Sequence, residues 1–294
     1  MDDSLIARAT SELLRYRTHQ EATCKICEST AIPFDMVDLL KQCETPFYPD
    51  TPSLIPVIYH RCTTCGFIFT TYFDEFSGEM WRKHIYNSDY IKVDPEYLDA
   101  RPKRNSFFID TLLSAKKTSV IGIDYGGGNG VTAEILRGLG YEYDSYDPYG
   151  TSSMDNTKIG SYNFCSAIEV LEHAPDPVGL MADLVGLANH DRLIVLIGTC
   201  TSDRAVTNGQ RLSWWYAAPR NGHISLFSEN SLSILAKRFG LECHSFSQSI
   251  HIFTRNISDK ELSFLWLRGR VFRKLNTMRN KLLRQWPFDL WLKG

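Results

Sequence analysis

Four cysteines near the N-terminus form two pairs with the spacing of a metal site. Two residues separate Cys24 from Cys27, and two separate Cys62 from Cys65. This spacing lets both thiolates of a pair face one ion, and four thiolates make the closed tetrahedral set that is typical of structural zinc. We therefore predict one structural zinc ion bound by these four side chains.

The stretch between the two pairs is longer than is usual for this pattern. It spans 34 residues, against roughly 15–20 in common zinc motifs, and an insertion between two knuckles would explain the length. Two alternatives stay open: reduced thiols that bind no metal, and a site in which Cys43 or His60 replaces one cysteine. A metal in a closed site of this kind holds the fold and does not catalyse.

A second chemical feature is the glycine-rich turn IDYGGGNG at the end of an apolar run. Asp124 is followed by Gly126, Gly128 and Gly130 at alternate positions. Glycine weakens strands and helices, so this cluster indicates close approach of the backbone to a ligand. A dinucleotide is disfavoured because Val131 occupies the third small position of its fingerprint. The acidic-x-Gly-x-Gly-x-Gly pattern favours S-adenosylmethionine.

Further candidate contacts to this cofactor follow other predicted elements. Asp147 lies 21 residues after Gly126 at the end of the next predicted strand, where a carboxylate can accept both ribose hydroxyl protons. Glu169 ends another predicted strand and is expected to contact the cofactor. Tyr86 is a candidate cover for the cofactor, with core packing as the alternative.

Two histidines could take a proton from an acceptor hydroxyl. His173 ends the motif EVLEH, and His223 lies in PRNGHIS. Histidine is a natural base near neutral pH, and Glu172 could orient His173 or act itself. The alternatives are a helix cap or carbonyl contact for His173, and packing under the aromatic run WWY (214–216) for His223. That run could bind the apolar face of a sugar; alternatively, it forms a hydrophobic plug.

Strand and helix patterns alternate from about residue 86 to residue 255. This alternation predicts an α/β fold: a Rossmann-like, seven-stranded, mostly parallel sheet with helices on both faces, preceded by a small zinc-ribbon-like module. Ligands of such sheets bind beyond the carboxyl ends of the strands, where the candidate residues fall. Only 14 residues separate Pro148 from Asn163, so the third strand must be very short. The helical stretch 94–117 is expected to break near Pro102.

Four segments are predicted along the chain: an N-terminal helix (1–20), the zinc-binding module (21–85), the α/β domain (86–255) and a basic amphipathic tail (256–294). From Arg255 onward there are ten basic and three acidic residues, a net charge of +7. Since the whole chain carries −2, the remainder carries −9. An acidic body of this kind argues against nucleic-acid binding.

The basic tail and the N-terminus bear on location. The tail predicts either a helix on an anionic membrane surface or a helix packed on the body or on a partner protein. The chain shows neither a secretory signal nor an apolar run long enough to span a bilayer. We therefore expect a cytoplasmic location, and the tail leaves open a peripheral contact with the inner face of the membrane. The sequence leaves the oligomeric state open.

The motifs IDYGGGNG, YDPY and AIEVLEHAPDP resemble those of class I S-adenosylmethionine-dependent methyltransferases, and EVLEH is the form of their small-molecule branch. The preceding four-cysteine module resembles that of a subgroup with deoxysugar C-methyltransferases and glycan-modifying enzymes. The resemblance covers roughly residues 20–255 and departs from the family at Asn163, where an aspartate is usual. It also implies an acidic adenine contact after the third strand, for which Asp155 is the candidate. It implies transfer to a sugar or glycan, nucleotide-linked or lipid- or polysaccharide-linked, with O-methylation favoured over C-methylation.

Two other functions stay open at this point. One is methyl transfer to another small metabolite, and the other is a non-catalytic protein with the same fold.

Overall fold

The computed structural model describes residues 3–17, 20–43, 52–148, 150, 155–207 and 211–283. The chain divides into two compact units, each built from segments that are distant in sequence. Unit 1 consists of Met1–Pro95, Leu171–Met181 and Cys200–Arg238, and unit 2 of Glu96–Val170, Ala182–Thr199 and Phe239–Gly294. The four segments predicted along the chain stay a prediction, because the units do not follow linear order.

Helices and strands alternate as follows: α1 (Asp3–Arg17), β1 (Ala22–Thr23), β2 (Thr30–Asp38), β3 (Pro56–Cys62), β4 (Ile68–Phe69), α2 (Gly78–His84), α3 (Tyr90–Val93), α4 (Ala100–Leu113), β5 (Ile121–Tyr125), α5 (Val131–Gly138), β6 (Glu142–Tyr146), β7 (Phe164–Ile168), α6 (Pro177–Leu187), β8 (Leu193–Gly198), β9 (Ser225–Leu226), α7 (Glu229–Arg238), β10 (Glu242–Ser245), β11 (Ile250–Arg255) and α8 (Asp259–Leu283). Short 3-10 helices lie at Ser114–Ser119, Asn156–Lys158, Leu171–His173 and Pro219–Asn221.

Unit 2 contains the predicted α/β sheet. Its strand order is β10-β11-β8-β7-β5-β6, with β5 to β8 parallel and β10 and β11 antiparallel. Strand β8 is buried along its whole length, as expected for a strand covered on both faces. The α/β class is confirmed. Among the described residues this sheet has six strands instead of the predicted seven. The described part of the link between β6 and β7, where the short third strand was expected, contains a 3-10 helix and no strand.

Helix α4 corrects one expectation about proline. The sequence predicts a break near Pro102, but α4 runs unbroken from Ala100 to Leu113. Pro102 lies in the first turn, where the backbone N–H groups have no partner within the helix and a missing one costs little. The buried residues of α4 join the core of unit 2: Phe108, Ile109, Leu112 and Leu113.

Helix α8 is the first part of the basic tail, and it belongs to unit 2. Leu265 and Phe272 are buried in the core of that unit. Lys116 and Arg192 both donate to Glu261, and the Lys116 hydrogen bond leads the effects that lower the pKa of Glu261 to about 2. The interpretation as a helix packed on the body therefore holds for this part.

The other side chains of α8 leave the peripheral membrane or partner contact as a prediction. Four large apolar residues are exposed: Phe264, Trp266, Leu267 and Val271. The side chains beyond residue 274 lie outside the described part. They include Leu275, Met278 and Leu282, which recur in the sequence at helical spacing. Among the described residues, none of the helices has the length and apolar character needed to cross a bilayer.

Unit 1 is organised around a second, antiparallel sheet with the order β1-β2-β3-β4-β9. Its last strand lies far from the others in sequence, since Ile68 pairs with Leu226 and Phe69 with Ser225. Helix α1 contributes Leu5 to a core rich in aromatic side chains. These residues belong to that core: Tyr59, Tyr72, Phe73, Phe76, Trp81, Tyr90, Trp214 and Tyr216.

Candidate functional site

The four cysteines of the predicted metal site lie together in unit 1. The Sγ atoms of Cys24 and Cys65 are 3.6 Å apart, and those of Cys27 and Cys62 are 3.4 Å apart. All four Sγ atoms lie within 4.8 Å of one another. Zinc–sulfur bonds of about 2.3 Å place the sulfurs of a tetrahedral site about 3.8 Å apart. The arrangement therefore fits one zinc ion without rearrangement of the backbone.

The turns that carry the cysteines direct backbone groups at sulfur. The N–H of Ile26 lies 3.4 Å from Cys24 Sγ, and the N–H of Thr64 lies 3.4 Å from Cys62 Sγ. Gly66 follows the second pair with a φ of 74°, a conformation that favours glycine. Such N–H donors stabilise thiolates, the form that binds metal.

Neither alternative ligand belongs to the four-cysteine cluster. The Sγ atom of Cys43 lies 3.6 Å from Nδ1 of His223. The ring of His60 stacks on Phe69, with 5.9 Å between the ring centroids. The four cysteines of the two Cys-x-x-Cys pairs are therefore the members of this cluster, and their binding of zinc stays a prediction.

The glycine-rich turn of unit 2 follows β5 and opens helix α5. Gly126 has a φ of 75°, and a Cβ there would lie 2.6 Å from Cγ2 of Val170. Gly128 also has a positive φ, 56°, but a Cβ there would meet nothing within 4 Å. Gly130, with a φ of 78°, is the N-cap of α5. The turn thus packs tightly at its start and leaves open space at its middle glycine.

Asp147 lies directly beside this turn, as the sequence predicts. Its Oδ2 accepts a hydrogen bond of 2.9 Å from the N–H of Gly128. A carboxylate has lone pairs for several donors, so this bond orients Asp147 and leaves acceptor capacity for ribose hydroxyls. The neighbouring Gly150 approaches closely, since a Cβ there would lie 2.6 Å from the carbonyl oxygen of Gly128.

Asp124 is buried beneath the same turn. Its carboxylate accepts hydrogen bonds from Ser166 and Thr132, and Ser166 Oγ lies 3.0 Å from the hydroxyl of Tyr143. Burial raises the pKa of Asp124 to about 6, and the nearby Asp147 carboxylate adds to the rise. The sequence gave no sign of these buried partners, and the cofactor contact of Asp124 stays a prediction.

The raised pKa of Asp124 predicts a pH dependence of stability. The folded state binds the proton more tightly than the unfolded state, whose pKa is near 3.8. The free energy of unfolding should therefore fall as pH rises from about 4 to 6, by about 3 kcal/mol, and then level off. Asp124→Asn cannot ionise, so it should gain stability relative to wild type across that range.

Urea unfolding between pH 4.5 and 7.5 measures this difference. Asp155→Asn is the control, because Asp155 is exposed and the hydroxyl and N–H of Thr157 lower its pKa. If the difference in the free energy of unfolding between Asp124→Asn and wild type stayed constant with pH, the raised pKa of Asp124 would be contradicted.

Glu169 follows β7 in a backbone conformation that is rare for a residue with a side chain. Its φ is 57°, and its N–H donates to the carbonyl of Gly198 at 2.8 Å. A left-handed residue of this kind costs of order 1–3 kcal/mol and is enriched at functional sites. Its contact with the cofactor stays a prediction.

The two candidate histidines and Glu172 lie together in unit 1. Each of the three offers a nitrogen or carboxylate oxygen, and these atoms lie within 4.8 Å of one another. The ring centroids of His173 and His223 are 4.9 Å apart, with the rings at 74°. We call Glu172, His173 and His223 the histidine cluster.

Tyr216 orients two members of the histidine cluster, a role that the sequence did not reveal. Its hydroxyl donates to Oε1 of Glu172. Its carbonyl oxygen accepts from Nδ1 of His223 at 2.9 Å. The rings of Tyr216 and His223 also pack together, with centroids 4.2 Å apart. The predicted packing of His223 beside the aromatic run is therefore present together with its place in the cluster.

Tyr86, predicted to contact the cofactor, lies beside the histidine cluster within unit 1. Its hydroxyl is 3.1 Å from Nδ1 of His173. A Cβ on Gly222 would lie 2.9 Å from both of these atoms, and Gly222 has a φ of 88°. Glycine at this position keeps the tyrosine and the histidine in contact. The cofactor contact of Tyr86 stays a prediction.

Lys41 orders the aromatic run by an arrangement that the sequence did not indicate. The whole residue is 2 % exposed, and its ammonium group donates to the carbonyls of Trp214, at 2.7 Å, and Ala217. Burial lowers the pKa of Lys41 to about 8. Trp214 and Tyr216 are buried in the core of unit 1, so the interpretation as a hydrophobic plug fits this run better than an open platform for sugars.

Three other polar side chains of unit 2 have local partners. Arg104 forms an ion pair of 3.0 Å with Glu96. Asp155 is exposed and caps a 3-10 helix through the N–H of Thr157. Asn163, where an aspartate is usual, accepts from the N–H of Ile121 at 3.1 Å. Each of the three side chains therefore has a partner within unit 2.

Comparison with known proteins identifies a methyltransferase-domain family whose profile matches residues 97–245, just over half of the chain. No curated protein matches the chain. Solved structures with a similar fold include the magnesium protoporphyrin IX methyltransferase of Synechocystis PCC 6803 with bound S-adenosylhomocysteine. It is 16% identical with a TM-score of 0.37, over 63% of this chain and 97% of that one.

Two further solved structures are similar at comparable levels. The plantazolicin methyltransferase BpumL is 14% identical with a TM-score of 0.41, over 71% of this chain and 89% of that one. A SAM-dependent methyltransferase from Aquifex aeolicus is 11% identical with a TM-score of 0.34, over 61% of this chain and 98% of that one.

Proposed function

Because the chain belongs to the methyltransferase-domain family and is an S-adenosylmethionine-dependent methyltransferase, we propose that it methylates a hydroxyl group of a sugar or glycan. The family match over residues 97–245 carries this conclusion for the reaction, and it confirms the predicted methyl transfer. The sugar acceptor, nucleotide-linked or lipid- or polysaccharide-linked, rests on the resemblance of the motifs and of the cysteine module to sugar-modifying enzymes. A different small metabolite is the second candidate acceptor.

The cofactor site that we propose is the glycine-rich turn with its acidic neighbours. Open space above Gly128 gives the backbone room to approach the amino-acid and ribose parts of S-adenosylmethionine. Asp147, oriented by its bond from Gly128, accepts the ribose hydroxyls. The buried carboxylate of Asp124 supports the turn from below, and Glu169 contributes a further contact.

The histidine cluster is proposed to prepare the acceptor. In the reaction the acceptor oxygen attacks the methyl carbon in line, the carbon–sulfur bond breaks, and S-adenosylhomocysteine leaves as a neutral thioether. The acceptor also loses its proton, and removal of that proton by a positioned side chain accelerates such steps. His173 and His223 are the candidate proton acceptors, with Glu172 as their acidic partner.

The four cysteines are proposed to bind a structural zinc ion. Their mutual distances fit the tetrahedral geometry of zinc. Four thiolates leave no coordination position for a substrate, so this ion stabilises unit 1 and takes no part in methyl transfer.

Calorimetry with S-adenosylmethionine, followed by an acceptor panel, tests the proposed function. Nucleotide sugars and small metabolites are incubated with the enzyme and cofactor, and mass spectrometry follows the gain of one methyl group. Methylation of a sugar supports the proposal. Methylation confined to non-sugar metabolites would replace the sugar by the second candidate, and absence of cofactor binding would overturn the site.

Gly126→Ala should weaken the binding of S-adenosylmethionine at least about tenfold, or by 1.4 kcal/mol or more. The added Cβ meets Val170 at 2.6 Å and forces a left-handed backbone onto alanine, so the turn must move. The matched control is Gly138→Ala in α5, where a Cβ meets nothing within 4 Å. Equal calorimetric affinities for the two variants would contradict the role of the turn.

A further inference from the structure

We propose that Glu172, His173 and His223 form a second metal site, for a divalent first-row transition-metal ion such as Zn²⁺. The site shares no residue with the four-cysteine cluster, and the two sets of ligands differ in chemistry. The inference goes beyond the proposed function, because proton transfer to an imidazole needs no metal.

The donor set and its spacing suit such an ion. Two imidazoles and one carboxylate are the ligands of many catalytic zinc sites, which leave a fourth position open. The three ligand atoms lie within 4.8 Å of one another. Metal–ligand bonds of about 2.0–2.2 Å would hold them about 3–4 Å apart, so small side-chain rotations close the site.

The environment of Glu172 gives the second argument. Its side chain is fully buried, at 0 % exposure. One carboxylate oxygen, Oε1, accepts from the hydroxyl of Tyr216. The other, Oε2, has no hydrogen-bond partner, and no lysine or arginine forms an ion pair with Glu172 among the described residues. A buried carboxylate oxygen without a partner is unfavourable, and a bound cation satisfies it.

The orientation of His223 gives the third argument. A carbonyl oxygen can only accept, so the 2.9 Å contact between His223 Nδ1 and the carbonyl of Tyr216 places the proton on Nδ1. In the neutral imidazole the lone pair is then on Nε2, ready to bind a metal. Metal-bound histidines typically donate their second nitrogen to a carbonyl or carboxylate in this way.

His173 also has a tyrosine neighbour. Its Nδ1 lies 3.1 Å from the hydroxyl oxygen of Tyr86, and in the tautomer with the proton on Nδ1 this hydroxyl accepts it and the Nε2 lone pair is available for a metal. Gly222 keeps that pair in contact, because any Cβ there would lie 2.9 Å from both atoms. The two tyrosines thus orient all three proposed ligands, as outer-shell partners do in known metal sites.

A bound ion would also change how the acceptor loses its proton. The imidazole lone pairs would lie on the metal, and a hydroxyl bound at the open position would become more acidic. The ion at this site would therefore act on the substrate, in contrast to the closed four-cysteine site.

The metal content of the full chain tests the proposal. The protein is dialysed to equilibrium against low-micromolar Zn²⁺, and the bound zinc is measured by inductively coupled plasma mass spectrometry. We expect two ions per chain for wild type and one for His173→Ala and for Glu172→Gln. The control His84→Ala, a histidine of unit 1 outside the cluster, should keep two. Glu172→Gln nearly preserves side-chain shape, and thermal unfolding confirms that each variant is folded.

Cobalt gives an independent readout of the same site. Co²⁺ added to the chain with its cysteines already zinc-bound should produce visible bands of a nitrogen and oxygen site, without thiolate charge-transfer absorption. These bands should be absent from Glu172→Gln. One bound zinc in wild type that folded Glu172→Gln retains, or two in folded Glu172→Gln, would overturn the proposal. Neither result depends on methyl transfer, so a failed acceptor panel and a failed metal site are distinguishable.

Discussion

Cys62→Ser should abolish zinc binding at the four-cysteine site and unfold most of unit 1. Structural zinc contributes apparent binding free energies of about 10–16 kcal/mol in zinc-finger peptides, which is comparable to the total stability of a typical domain. Cys62 is also the last residue of β3, so loss of the ion releases the strand at the centre of the five-stranded sheet. The expected result is loss of one zinc ion per chain and of the cooperative thermal transition of unit 1.

Circular dichroism and elemental analysis on the same samples measure this effect. Cys243→Ser is the matched control, because Cys243 lies in β10 of unit 2 and outside the cysteine cluster. It should retain the zinc of wild type and change the melting temperature little. A Cys62→Ser protein that melts like the control would show that the four thiols hold no ion of structural importance.

His173→Ala and His223→Ala should each lower kcat by about 10²–10⁴-fold, the usual contribution of a positioned acid–base group. Both proposed roles of the histidine cluster, proton acceptor and metal ligand, use the imidazole lone pairs, so alanine removes either. The Kd for S-adenosylmethionine should change less than about threefold, because the proposed cofactor contacts lie on the glycine-rich turn. Calorimetry gives the Kd, and steady-state rates with the acceptor from the panel give kcat and KM.

His84→Ala again serves as the matched control and should retain the kcat of wild type. The result that would remove the cluster from catalysis is a kcat near wild type for both variants. If the affinity for the cofactor fell as much as kcat, the histidines would instead have a structural role. A thermal unfolding assay shows whether each variant is folded, and it thereby separates a local structural effect from unfolding of the protein.

Local sequence patterns predicted much of the α/β unit. Glycines, caps and apolar runs act over a few residues, so β5, α5, β6 and β7 lie close to where the sequence places them. Because these features depend on neighbours in the chain, no knowledge of tertiary contacts was needed.

Features that depend on distant contacts could not be read from the sequence. The residues next to Lys41 in the sequence give no sign that it is buried. Its ammonium group nevertheless donates to carbonyls more than 170 positions away in the sequence. Tyr216 stood out as an aromatic residue, but its hydrogen bonds to Glu172 and His223 require the fold of unit 1. The spacing of the cysteines was informative because a metal site imposes the same geometry in many folds.

The pairing of β4 with β9 has a consequence for biosynthesis. Ile68 emerges from the ribosome long before its partner Leu226, and chain growth of about 5–20 residues per second makes the delay about ten seconds or more. Until then one edge of the N-terminal sheet lacks its final neighbour, and unpaired strand edges favour aggregation. Truncated chains that end before β9 should therefore accumulate as insoluble protein, even with zinc supplied and all four cysteines intact.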